Sequence, residues 1–150
     1  MEGAAPWTDA QVGERQVAQS ADVMYIVHPA VSPRKLSRTG GTVWALTEPT
    51  FTAPKWDATK GYPRAITFHQ QRLWFGGTTE KPQSIFGSKS DEFENFTVGT
   101  TADDALEYAI ASYRVNQVQW MSSTEVMIVG TAGGEFKVSG AGAALTPNNV

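Results

Sequence analysis

The chain has 150 residues, 41% hydrophobic and 18% charged, and its five Trp, seven Phe and four Tyr supply enough burial to exclude a disordered composition. A net charge of −3 excludes a basic surface that grips nucleic acid non-specifically. With no Cys there is no disulfide framework and no thiolate metal site; two His leave little for a His-rich one, and no apolar run approaches the roughly 20 residues that span a bilayer.

Residues 1–15 are small and polar with one Trp and read as an edge strand or a loose terminus. They lack the basic segment and apolar segment of a secretory signal. Gln16 to Asp22 leads into a first apolar strand, Val23–His28. Two prolines make 29–33 a loop and argue against a central strand there. Strands are expected over Arg34–Arg38 and Thr42–Leu46, joined by a Thr39-Gly40-Gly41 turn, with Val43 and Ala45 on one face and Trp44 and Leu46 on the other. Residues 47–63, with Pro49, Pro54 and Pro63, form a connector that Phe51 and Trp56 pin to the core.

Arg64–His69, a Gln70-Gln71 turn and Arg72–Gly77 open a second unit. A polar loop at 78–83 leads to the strand Ser84–Ser88. Phe93 and Phe96, three apart, suit a short turn that tucks two rings under the sheet. After a connector at 97–105, Leu106–Ser112 is a strand or a short helix. The third unit holds strands at Val115–Trp120, Glu125–Gly130 and Glu135–Ser139, with turns at 122–124 and 131–134, and a Gly/Ala-rich tail follows.

Three apolar stretches, starting at 23, 73 and 126, are versions of one another. A period of about 50 residues suggests stacked sheet units such as propeller blades. The expected fold is therefore all-β: propeller-blade-like antiparallel repeats over 16–60, 61–112 and 113–150, the last truncated, forming an incomplete β-propeller, with a β-sandwich-like or α+β domain as the alternative. Ile66, Phe68, Leu73, Phe75, Val118, Trp120, Met127 and Val129 are the expected packing residues.

Candidate chemistry is sparse. Asp103, Asp104 and Glu107 are three carboxylates that can ligate Ca²⁺ or Mg²⁺, without the spacing of an EF-hand; the competing reading is a solvated loop. Asp91, Glu92 and Glu94 read as turn charges, since nothing fixes the carboxylate separation that glycoside hydrolysis needs. His69 with Ser84 or Ser88 lacks a nucleophile elbow, so His69 and His28 read as surface or half-buried structural residues. The glycines of 76–79 and 130–134 lack the Lys-Ser/Thr and helix of a phosphate loop and read as tight turns. Arg34, Lys35 and Arg38, and separately Arg64 and Arg72, read as small basic patches on solvent faces of strands.

The run from Gly61 to Thr78, Pro82–Ser90 leading to Phe93–Phe96, Asp103–Glu107, Val115–Val118 and Gly130–Glu135, together with Gln19–His28 and Pro33–Leu36, resembles a family of large tailed-phage and prophage structural proteins. The likeness covers about 16–150; residues 1–15 match poorly. By architecture the chain looks like the tail nozzle or tail-stabilisation proteins of short-tailed phages, which are propeller-bearing rings below the portal. The resemblance implies one piece of a longer virion protein of the tail or head-to-tail region, assembled in the bacterial host cytoplasm. It implies no enzymatic activity, no catalytic residues and no cofactor. The expected partners are other virion proteins and further copies of itself, through faces around Val23–His28 and Phe136–Ser139, with no membrane and with genomic DNA passing a mildly acidic surface without tight binding. The alternative is a carbohydrate- or receptor-binding β module; a third reading, a glycan hydrolase, would rest on Asp103, Asp104 and Glu107.

Overall fold

The computed structural model describes residues 5–112, 114–140 and 143–150. The first four residues of the N-terminal extension, Tyr113 at the head of the third unit, and 141–142 of the tail lie outside the described residues. Among the described residues the chain is all-β apart from one helical turn, α1 (Asp9–Val12), and it forms three antiparallel sheets, each a simple meander. The first contains β1 (Gln16–Ser20), β2 (Val23–His28), β3 (Val31–Arg38) and β4 (Trp44–Thr47). The second contains β5 (Ala65–His69), β6 (Arg72–Gly76), β7 (Ser84–Gly87) and β8 (Leu106–Ala109). The third contains β9 (Val118–Ser123), β10 (Met127–Thr131) and β11 (Gly134–Val138).

The stacking follows from period-two alternation. In the second sheet Ile66, Leu73, Phe75 and Phe86 face the first sheet and join Ala18, Tyr25 and Val27 in one core. Their neighbours in sequence, Ala65, Trp74 and Ile85, face the third sheet and join Val118, Met121, Met127, Val129 and Val138 in a second core. The first strands pack in series, β1 on β5 and β5 on β9. The Gln16 side-chain amide also donates to the Gln119 carbonyl. This all-β arrangement forms no closed barrel among the described residues and is consistent with a partial propeller or with a sandwich.

Gly76 and Gly77 permit the close approach of β9. A Cβ on Gly76 would lie 3.1 Å from a Val118 methyl, and one on Gly77 would lie 2.6 Å from the Val118 carbonyl. The connector behaves as expected: Trp56 meets Phe75 and Phe96 edge-on, with ring centroids 4.8 and 4.9 Å away, and Phe51 meets Phe75 at 5.7 Å. Phe96 is buried and Phe93 packs against the same core.

Several expectations need correction. Residues 1–15 form no strand among those described; they carry α1, and Trp7 is buried. Gln16–Ser20 is a full strand rather than a lead-in. Pro33 lies inside β3, a central strand. It is tolerated because Ser32 and Pro33 fall in a register shift between Ile26↔Arg34 and His28↔Val31, while β4 pairs only from Lys35 onward. The missing N–H therefore falls where no neighbouring strand needs it. Leu106–Ala109 is strand, not helix. Strand β9 starts at Val118, later than expected, leaving Val115 exposed ahead of it. The tail is anchored: the Leu145 N–H donates to Gln70 Oε1 at 2.6 Å, and the Leu145 side chain is buried in the second core.

The Gln70-Gln71 turn holds both residues at positive φ, 49° and 58°. Tight hairpins need this geometry, but only Gly adopts it without penalty. Gln71 is exposed, so Gln71→Gly is expected to stabilise the fold by about 0.5–1 kcal/mol. A urea midpoint equal to or below that of the parent chain would contradict this.

Candidate functional site

Each group of titratable residues proves to be tied to the fold. Asp104 accepts from the Thr101 N–H and hydroxyl at 3.0 and 2.8 Å and pairs with Lys89 at 3.1 Å. The Thr101 bonds, helped by Lys89, hold its carboxyl at about 2, too acidic to donate a proton near neutrality. Glu107 pairs with Lys81 instead. Asp103 contributes its backbone carbonyl, which accepts from the Ser90 N–H at 3.0 Å. These three carboxylates do not converge, and no trio of His, Asp or Glu suited to a metal gathers among the described residues.

Arg72 is the group most at odds with its expected place. It is 2% exposed, not on a solvent face. Its Nη1 donates to the Ser88 and Asp104 carbonyls at 2.5 and 2.7 Å, and its Nη2 to the Ala102 carbonyl at 2.5 Å. Its planar fork closes the 101–105 loop onto the end of β7. Arg34, Lys35 and Arg38 form no common patch, because alternation turns Lys35 to the face opposite the two arginines. Arg34 pairs with Glu48, Lys35 with Glu94 at 2.6 Å, and Arg38 donates to the Gly40 and Gly41 carbonyls.

Glu94 also accepts from the Tyr25 hydroxyl at 2.8 Å. Burial, then Glu94 itself, pushes the Tyr25 hydroxyl far above its ordinary range. Tyr25, Lys35, Thr52, Glu92 and Glu94 line a shallow cleft of about 350 Å³. Glu92 bonds Asn95 at 2.7 Å.

His69 is buried, and its partner is neither Ser84 nor Ser88: Nδ1 lies 2.8 Å from the Ser123 hydroxyl, across the joint between the second and third sheets. The Ser88 hydroxyl accepts the Leu73 N–H and donates to the Lys89 carbonyl, and Ser84 is buried. His28 is likewise buried, its Nδ1 accepting from the Ala30 N–H at 3.1 Å. Its Nε2 lies 3.3 Å from Glu14 but makes no hydrogen bond.

Burial lowers the His69 pKa below its ordinary value near 6.5. The unfolded chain then binds more protons between the two values, so stability is full above the unfolded pKa and falls as pH drops through 6.5 toward the folded one. The urea midpoint is expected to decline between pH 7.5 and 5.5, and His69→Gln to flatten that decline. An equal slope in both proteins would contradict it.

Apolar surface is distributed differently from charge. The face of the first sheet turned away from the second carries Val17, Met24, Leu36, Trp44 and Leu46, with Val17 54% and Trp44 49% exposed. At its His28 end, Glu14 of the N-terminal segment lies against the sheet. The face of the third sheet turned away from the second carries Ile128 and Trp120. Trp120, expected in the core, is 38% exposed, because an irregularity in the β9–β10 pairing puts Val118 and Met121 inward and Trp120 outward. Phe136 points inward, so it takes no part in this face. Gly130 is no turn residue: it pairs with Trp120, and a Cβ there would enter the indole ring.

The same device occurs in the second sheet, where Trp74 pairs with Gly87 and a Cβ on that glycine would lie 3.0 Å from the ring. Sequence reading missed this parallel because it depends on cross-strand register, and the two Trp-to-Gly spacings differ. No protein-family model matches this chain, and no curated protein matches it.

Proposed function

We propose that the chain is a structural component of a tailed-phage virion, a β-repeat scaffold of the tail or head-to-tail region that carries out no reaction. One observation carries this reading. Most of the candidate acids and bases, among them Lys35 with Glu94, Lys81 with Glu107, Lys89 with Asp104 and His69 with Ser123, are engaged in ion pairs, turns and strand joints, while apolar side chains at both ends of the stack, Val17 and Trp44 at one and Trp120 at the other, stay exposed. A surface of that kind suits assembly rather than chemistry. The strings resembling tailed-phage structural proteins supply the setting, and the net charge of −3 suits a wall past which DNA slides without sticking. Immunogold labelling of purified virions against this protein tests the placement: label on the tail is expected, and virions without label would overturn it.

A carbohydrate- or receptor-binding role is the second reading, favoured by the cleft at Tyr25, Lys35 and Glu94 with its mixed donors and acceptors. Glycan-array binding lost on Lys35→Ala would favour that reading over the scaffold.

A further inference from the structure

The outer strand of the second sheet, β8, has one paired edge and one free edge, and its register fixes which main-chain groups face which way. The Ile110 N–H donates to the Gln83 carbonyl at 3.0 Å, and the pairs Ile85↔Tyr108 and Gly87↔Leu106 continue that phase. Leu106, Tyr108 and Ile110 therefore direct their N–H and C=O groups to the β7 side, and those of Glu107 and Ala109 point outward. Among the described residues nothing bonds these outward groups, and Glu107, Tyr108 and Ala109 are all exposed. Two residues before Glu107 the same edge is taken, because Ala105 forms an isolated parallel bridge with Val98. The chain thus supplies one rung of a fifth strand and then turns away. A groove of about 440 Å³ continues along the edge from that rung, with Val98, Leu106 and Pro147 as its apolar walls. The Asn148 side-chain amide donates to the Thr100 carbonyl at 3.1 Å and ties the tail wall to the 97–105 connector. The charged side chain in the lining, Glu107, is already paired with Lys81.

We infer that this groove takes an extended segment of a partner protein, added to β8 as a parallel fifth strand. The occupant continues the rung that Val98 begins, so it runs parallel to β8, and its main chain meets the N–H and C=O groups of Glu107 and Ala109. An edge with unpaired rungs is a template for such pairing; β11, the outer strand of the third sheet, is blunted instead by the charges of Glu135 and Lys137. Because Lys81 neutralises Glu107 and the walls are apolar, the segment is uncharged and places an aliphatic side chain against Val98, Leu106 and Pro147. Proline cannot stand where the N–H of the occupant faces β8. The inference is independent of the virion placement.

Amide hydrogen exchange, read by NMR on the 150-residue chain, tests it with a synthetic probe, the acetylated and amidated peptide Thr-Ile-Thr-Val-Thr. With the peptide at about ten times its dissociation constant, exchange of the Glu107 and Ala109 amides is expected to slow about tenfold, while the Leu106 and Tyr108 amides, already turned to β7, do not change. The same peptide N-methylated throughout keeps its side chains but lacks its donors, and is expected to give no protection. Ala109→Pro removes one outward N–H without losing a bond to β7, so it is expected to weaken peptide binding about tenfold at an unchanged urea midpoint. Where Ala109→Pro does not fold, Val98→Asp, at a wall position 49% exposed, replaces it with the same loss expected. Glu107 and Ala109 amides left unprotected by the peptide overturn the inference. So does equal binding of the N-methylated peptide, which marks a side-chain groove without strand addition. So does protection of these amides that rises with protein concentration alone, which marks two copies pairing along β8. A chain that binds the peptide but is absent from virions keeps this inference and loses the virion reading, while a chain found in virions that ignores the peptide does the reverse.

Discussion

Arg72→Met is expected to lower the free energy of unfolding by about 3 kcal/mol, through acceptors left without donors rather than through lost packing. Methionine fills much of the same volume, but the carbonyls of Ser88, Ala102 and Asp104 would all lose the guanidinium. Ser88 is fully buried, so water cannot replace the donor there at no cost. Arg72→Lys is expected to recover less than half of the loss, because a single ammonium cannot reproduce a planar fork spanning two chain segments. Hydrogen exchange adds a local readout: amides of the 101–105 loop should lose protection ahead of the strands. A change in urea-unfolding free energy below about 0.5 kcal/mol would rank Arg72 with ordinary surface residues and contradict this account.

Trp74→Ala is expected to cost about 3–5 kcal/mol. The indole is fully buried between the second and third sheets, lies across Gly87 and donates from Nε1 to the His69 carbonyl at 3.1 Å. Glycine opposite the ring leaves no side chain able to collapse into the space, so a cavity remains. Trp74→Phe should cost about 1–2 kcal/mol, reflecting a smaller ring and the lost indole bond to the His69 carbonyl. The informative comparison is Trp120→Ala in the monomer. The same ring-on-glycine pairing there is open on one side, and the expected cost is about 1 kcal/mol. Equal losses at the two tryptophans, measured by urea unfolding of monomeric protein, would remove the contrast between a covered and an uncovered sheet face.

Much of the fold is legible in residue order, and the particular elements show why. Val23–His28, Arg72–Gly76 and Met127–Thr131 are short, apolar and bounded by turn residues, which leaves an extended strand as the cheapest way to bury them. The Gln70-Gln71 turn follows from the two alternating runs it joins. The candidate sites were less legible. Asp103, Asp104 and Glu107 lie within five residues, yet a turn directs Asp104 to Lys89 while strand β8 carries Glu107 to Lys81. Adjacency in sequence fixes proximity of backbones, not the direction of side chains. Arg72 and Arg64 look alike as exposed strand cations, and nothing local marks the distant loop whose carbonyls draw Arg72 inward.

Sequence alone thus determined that this chain is all-β, that it is built on a repeat of about 50 residues, and that alternating residues divide each strand between two faces. These are local properties, set by side-chain volume, polarity and the two-residue period of an extended backbone. Tertiary structure decided which of those faces are covered. It turned Trp120 outward through an irregular pairing, admitted Pro33 to a central strand at a register shift, and joined His69 to Ser123 across two sheets. Each depends on cross-strand register and on what packs against what, so no local window contains it. The exposure of Trp44 and Trp120 arises in the same way, because whether an apolar side chain is covered depends on what stands opposite it.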